Sequence, residues 1–291
     1  SMSSTEITEI ITQTINSIFN NLLGSINNSL YSILDDITFV TPNIINDNYF
    51  QNILGSNSNK GILLIANSLL IGFVLYYCIQ LLFASYINSK IESPYKFIFK
   101  ILLITIFLNN SFFICEKLLF FNSTISSAIR EIGENLYNKN ICFLELINEL
   151  NSCISINGEI NLLSFNGILK FISTTGLLNL IFNYSLRYIM IKVFILIFPF
   201  CILSLLNPNS SWIFKSWIKC FLSLLLIQQL ISIIFLIIFS INFNSDTFSQ
   251  FMYIGSIYAL IKANSYIREI FGGISTDVHS NISNFSQLLK K

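Results

Sequence analysis

A chain of 291 residues that is 53% hydrophobic and only 11% charged cannot cover itself for life in water, since an ordinary soluble domain carries about 25% charge. Lipid must cover part of it, which excludes a soluble globular enzyme. A net charge of +1 gives no global field for nucleic acid or an acidic partner, so any basic surface is local.

The chain opens with Ile7, Ile11, Ile15, Ile18, Leu22, Ile26, Leu30 and Ile33 at helical spacing, which predicts an amphipathic helix over residues 5–37. Membrane-surface helices are often rich in Lys and Arg, and this one has neither. Packing against partner subunits is therefore favoured over lying on lipid. Residues 1–60 are read as this external helix and a linker.

A helix needs about 20 apolar residues to cross about 30 Å of hydrocarbon. Residues 61–84 and 220–241 satisfy this cleanly. Residues 97–121 do so with Lys100, Asn109, Asn110 and Glu116 inside. Residues 176–206 are too long for one upright span and contain Pro199, which is expected to kink the helix. Residues 247–267 are weaker and carry Lys262 and Asn264. Each run is continuous rather than alternating, and the bilayer offers no water to unpaired backbone, so all are expected to be helical.

The connections set the orientation through the positive-inside rule. Lys90 and Lys96 lie between the first two runs, and Lys215 and Lys219 precede the fourth. The long stretch 122–175 is mixed in charge, and residues 242–246 hold no base. Arg268, Lys290 and Lys291 follow the last run. The reading is an all-α polytopic transmembrane protein of about five spans, with the N-terminus outside and the C-terminus in the cytoplasm. Residues 61–121 form the first helix pair, 122–175 an external loop domain, 176–267 the third to fifth spans, and 268–291 a cytoplasmic tail. Trp212 and Trp217 are expected at the cytoplasmic headgroups.

Polar groups at membrane depth face protein or water rather than lipid. Asn109 and Glu116 are seven apart and would share a face. Asn183, Arg187 and Lys192 mark the third span. There Arg187 and Lys192 either snorkel to the headgroups or line a passage. Gln228 and Gln229 fall mid-span in the fourth, where their amides can bond across helices. Gly255, Ala259 and Ala263 form a small-residue stripe suited to close helix packing. Cys142 and Cys153 share a loop and could pair if it faces an oxidising space. His279 is the only histidine and no C-x-x-C occurs, which speaks against zinc. The sequence holds no P-loop, nucleophile elbow or dinucleotide fingerprint. No catalytic residue, cofactor or metal is therefore expected, and any driving energy comes from a gradient or a partner.

Several segments resemble the TrbL family, the polytopic inner-membrane channel subunits of conjugative type IV secretion systems. They are Ser93 to Phe97, Asn110 to Glu116, Ile125 to Gly133, Pro199, Pro208 with Trp212 and Trp217, and Ile267 to Gly273. The likeness covers residues 61–273 and is greatest to versions from bacteria without an outer membrane. It implies a five-span subunit of the bacterial cytoplasmic membrane with a large external loop. It further implies a homo-oligomer beside other channel subunits, driven by separate transport ATPases, that moves single-stranded DNA with attached protein. Arg130, Lys139, Lys170, Arg187 and Lys192 are the cationic candidates for a DNA path. The competing readings are a stand-alone transporter of a small solute and a non-transporting membrane scaffold.

Overall fold

The computed structural model describes residues 4–25, 28–55, 60–87, 91–153, 165–244 and 246–272. Among them are ten α-helices and two short 3-10 turns, with no strand. The helices are α1 Ser4–Ser25, α2 Asn28–Thr38, α3 Asn48–Leu54, α4 Ile62–Ile87, α5 Pro94–Asn109, α6 Ser111–Tyr137, α7 Phe143–Cys153, α8 Phe165–Leu203, α9 Trp212–Phe239 and α10 Thr247–Phe271. The stretches Ile62–Ala84, Ser111–Tyr137, Gly167–Leu206 and Trp212–Phe239 are long and apolar enough to cross a membrane. This is a helical membrane protein.

The amino-terminal periodicity resolves into two helices. α1 leaves Ile7, Ile10, Ile11, Ile15 and Ile18 exposed, whereas α2 packs against α7 and α8. Beyond α2 the chain packs into the bundle. Val40, Ile44, Ile45, Phe50 and Leu54 enter one apolar core with Leu63, Leu108, Cys115, Ile191 and Leu224.

The second apolar run is not one helix. α5 stops at Asn109 and α6 starts at Ser111, with Asn110 as the joint at φ −97° and ψ 11°. The cause is local. The amide of Asn109 donates to the Thr105 carbonyl at 2.9 Å and that of Asn110 to the Ile106 carbonyl at 2.8 Å. Side chains bonded back onto the preceding turn compete with the helical ladder and bend it. α6 then continues through residue 122 to Tyr137, where Asn138 closes it in the left-handed conformation. At 16 residues α5 spans only about 24 Å, whereas the 27 residues of α6 are long and apolar enough to cross a membrane on their own.

The third apolar run is longer than expected. α8 is one helix of 39 residues with Pro199 inside it, about 58 Å at 1.5 Å per residue.

Helix directions follow from who meets whom. Asn122 bonds Gln228 and Ser126 bonds Ser232, each at an offset of 106, so α6 and α9 run parallel. Arg187 meets Leu224 and Phe194 meets Trp217, so α8 and α9 run antiparallel. Asn67 meets Asn109 and Tyr77 stacks on Phe97, so α4 opposes α5. Gly176 lies against Ile257 and Tyr184 against Leu260, so α10 follows α8. Lys100 donates to the Leu206 carbonyl at 3.3 Å, which brings the start of α5 to the turn between α8 and α9. One end of the bundle thus holds Lys96, Lys100, Lys215, Lys219 and Arg268 with Glu92 and Glu269, and the other Asp35, Glu131, Glu134, Glu145 and Glu149 with Arg130 and Lys139.

Candidate functional site

Two apolar clusters fill the bundle, and a polar seam separates them. One cluster holds Val40, Ile191 and Leu225, and the other holds Phe39, Tyr184 and Ile227. The boundary therefore passes between neighbouring residues of the amino-terminal segment, within two turns of α8, and at residue 226 of α9. Buried polar side chains gather beside this boundary.

Arg187 is fully buried there. Its Nη1 donates to the Thr38 carbonyl at 2.9 Å and its Nε to the Leu224 carbonyl at 2.7 Å. Arg187 thus neither snorkels nor lines an open passage: it ties the amino-terminal segment to α8 and α9. Burying a charge is costly unless its hydrogen bonds are met; two are met here by carbonyls, while Nη2 is buried without a partner. Thr38 ends α2, so its carbonyl is among those without a helical partner. A guanidinium with its fork of donors suits that vacancy better than a lysine would.

Gln228 repeats the motif one turn along α9. Its Nε2 donates to the Val40 carbonyl at 3.3 Å, while its Oε1 accepts from Asn122 Nδ2 at 3.1 Å. Gln229 Nε2 donates to the Asn122 Oδ1 at 2.5 Å and to its carbonyl at 3.2 Å. Both glutamines thus bond across helices, as mid-span amides should. Ser126 and Ser232 extend the line at 2.9 Å. Asn183, one turn from Arg187, is fully buried as well.

No protein-family model, curated protein or solved structure matches the chain.

The remaining expected residues lie elsewhere. Asn109 and Glu116 fall on different helices across the Asn110 joint, and Asn109 pairs instead with Asn67 of α4 at 3.1 Å. Lys192 is half-buried with its ammonium 5.8 Å from the Phe50 ring and 5.5 Å from that of Tyr188. Arg130 stands over Phe39 at 4.1 Å, and Lys139 pairs with Glu149. The Lys170 side chain and His279 lie outside the described residues. Cys142 is a free thiol, held above its ordinary range by burial; the Cys153 side chain is also outside the described set. Trp217 is buried, stacked on Phe198 at 4.2 Å and donating to the Phe194 carbonyl. Trp212 is exposed.

The small-residue stripe does not form a single packing face. Gly255 is open, Ala259 half-buried and Ala263 buried. The tight glycines are others. A Cβ at Gly176 would stand 2.6 Å from Ile257 Cγ2, and one at Gly133 would stand 2.5 Å from Leu236 Cδ2 and 2.9 Å from Ile141 Cγ1.

Asp35 supplies a second anchor. Its Oδ1 accepts from the Phe143 amide at 2.8 Å, capping the start of α7. Burial raises its carboxyl from the ordinary range to about 6, against the opposing pull of that hydrogen bond and of the Arg130 charge. Thr38, Val40, Asn122 and Asp35 carry no motif. The one sequence signal for them was a polar or helix-ending residue amid apolar neighbours, which does not name a partner 106 to 188 residues away.

Proposed function

We propose that the chain is a structural subunit of a membrane translocation channel, of the conjugative type IV secretion class that its sequence resembles. The observation that carries this reading is the seam itself. Arg187, Gln228, Gln229 and Asn122 direct most of their polar groups at one another and at backbone carbonyls, leaving Arg187 Nη2 and Gln229 Oε1 buried without a partner. A bundle cross-linked through its middle is a building block, and a path for single-stranded DNA with attached protein would then lie between subunits.

The membrane arrangement fits that role. Five crossings, with α5 and α6 making the second and α10 the fifth, put the basic end in the cytosol and α2, α7 and the amino terminus outside. This is the placement the positive-inside rule favours, in the bacterial cytoplasmic membrane. The exposed isoleucine face of α1 is the surface for a neighbouring channel subunit or a further copy. Separate ATPases on the cytosolic side would supply the energy.

Purification in mild detergent with mass measurement tests this. A ring of copies, or co-purification with a secretion ATPase, supports the proposal. A monomer that binds a small solute overturns it in favour of a stand-alone transporter.

A further inference from the structure

A cavity of about 700 Å³ opens between α4, α5 and the turn that follows α8, a size typical of small-ligand sites. It lies at the basic end of the bundle. Tyr86, Tyr95 and Trp212 stand out from that end with 88%, 87% and 63% of their surface exposed. Aromatic residues gather where membrane meets water, so the cavity sits at headgroup level. The neighbouring faces of α4 and α5, with Ile79, Phe83 and Ile98 exposed, are apolar.

Its lining is aromatic and polar at once. Tyr77 stacks on Phe97 with centroids 3.6 Å apart, and its hydroxyl donates to the Glu92 carbonyl at 2.6 Å. That contact holds Glu92 beside the ring pair. Tyr76 is fixed by Gln80, whose Nε2 donates to its hydroxyl at 2.8 Å. The Glu92 carboxylate meets Lys100 Nζ at 3.1 Å, and both side chains remain partly exposed. Among the described residues the lining thus presents the Glu92 carboxylate and aromatic faces, with the Lys100 ammonium bonded to Glu92 and to the Leu206 carbonyl, both of the lining.

A simple anion would meet Glu92 and a simple cation would meet Lys100. A ligand carrying both charges close together satisfies each, exchanging one ion pair for two. We propose that the cavity binds the phosphoethanolamine headgroup of a phospholipid. The ammonium faces Glu92 and the aromatic rings, through charge-assisted hydrogen bonds and cation–π attraction. The phosphate faces Lys100, and the acyl chains follow α4 and α5. A primary ammonium donates hydrogen bonds to a carboxylate and a choline headgroup cannot, so ethanolamine is the preferred form. This rests on the membrane-embedded fold and is independent of the secretion role.

The test uses the full chain in detergent, titrated with short-chain phosphatidylethanolamine, phosphatidylcholine, phosphatidylglycerol and free O-phosphoethanolamine, with bound lipid counted by native mass spectrometry. Phosphatidylethanolamine is expected to bind at least ten-fold more tightly than the other two lipids and the free headgroup. E92Q and K100Q should each remove that preference at unchanged helical content, while Y95A, a belt residue away from the ion pair, should keep it. Equal retention of the three lipids overturns the proposal. So does an unchanged preference in E92Q, or free O-phosphoethanolamine binding as tightly as the lipid. An E92Q chain that loses the lipid yet still assembles with its partners would separate this site from the channel role.

Discussion

Arg187 Nη1 and the Thr38 carbonyl oxygen lie 2.9 Å apart in the interior of the bundle, joining α8 to the last residue of α2. The contact explains why the chain before the first long apolar helix is not a free arm. Replacing Arg187 with alanine removes two hydrogen bonds from a charged donor, each contributing about 1.5–3 kcal/mol. Removing the buried charge offsets part of that loss. The expected result is release of the amino-terminal segment with the helices retained. A thiol placed at Val40, 1% exposed, should label at least ten-fold faster in R187A than in the parent. R187Q keeps a donor without the charge and should label slowly.

The amide pair Asn122 and Gln228 tests whether the seam is energetically coupled. Single alanine substitutions and the double variant form a cycle, read by detergent-based unfolding. The expected coupling is about 0.6–1.7 kcal/mol, the range for interhelical hydrogen bonds in membranes. Additive losses would mean the bond at 3.1 Å contributes nothing.

Three glycines should divide sharply when changed to alanine. G176A drives a methyl into the β-branched Ile257, which has little freedom at χ1. It is expected to cost about 1–3 kcal/mol, typical of overpacking. G133A meets Leu236 and Ile141 and should also destabilise, though less, because the leucine end can rotate. G255A, with nothing near, should be neutral or stabilise by up to about 1 kcal/mol through helix propensity. Thermal midpoints of the three variants in one detergent check the order.

Much of this was legible from residue types, and the rest fails for a physical reason. The long apolar runs announced the helices, and Gln228 and Gln229 announced bonding across them. Hydropathy did not reveal the joint at Asn110, because a break made by asparagines bonding to their own preceding turn leaves the apolar average unchanged. Nor could it place Phe39, Val40, Ile44 and Ile45 inside the bundle: Arg187 and Gln228 hold this segment there by capping the carbonyls of Thr38 and Val40. The stripe at Gly255, Ala259 and Ala263 misled because small residues permit close packing without requiring it, and the close approaches fell at Gly133 and Gly176.

Asp35 gives the contact between α2 and α7 a pH dependence with a definite sign. Its carboxyl is raised from 3.8 to about 6 by burial, so the folded chain binds the proton more tightly than the unfolded one. Its stabilising contribution is complete below about pH 4 and is lost as pH rises through 6. D35N keeps an acceptor for the Phe143 amide and removes the titration. Unfolding midpoints of the parent should fall between pH 4 and 6.5 relative to those of D35N, and curves that stay parallel would exclude the residue as the cause.

The central claim is that the basic end lies in the cytosol and the α2–α7 end outside, with the seam between them. Single thiols at Asn135, exposed near the end of α6, and at Asn209, exposed in the turn before α9, report on it directly. The native cysteines are first replaced, and intact cells are treated with a membrane-impermeant thiol reagent. Asn135→Cys should label before lysis and Asn209→Cys only after it. Labelling in the opposite order would contradict the arrangement and the channel role proposed from it.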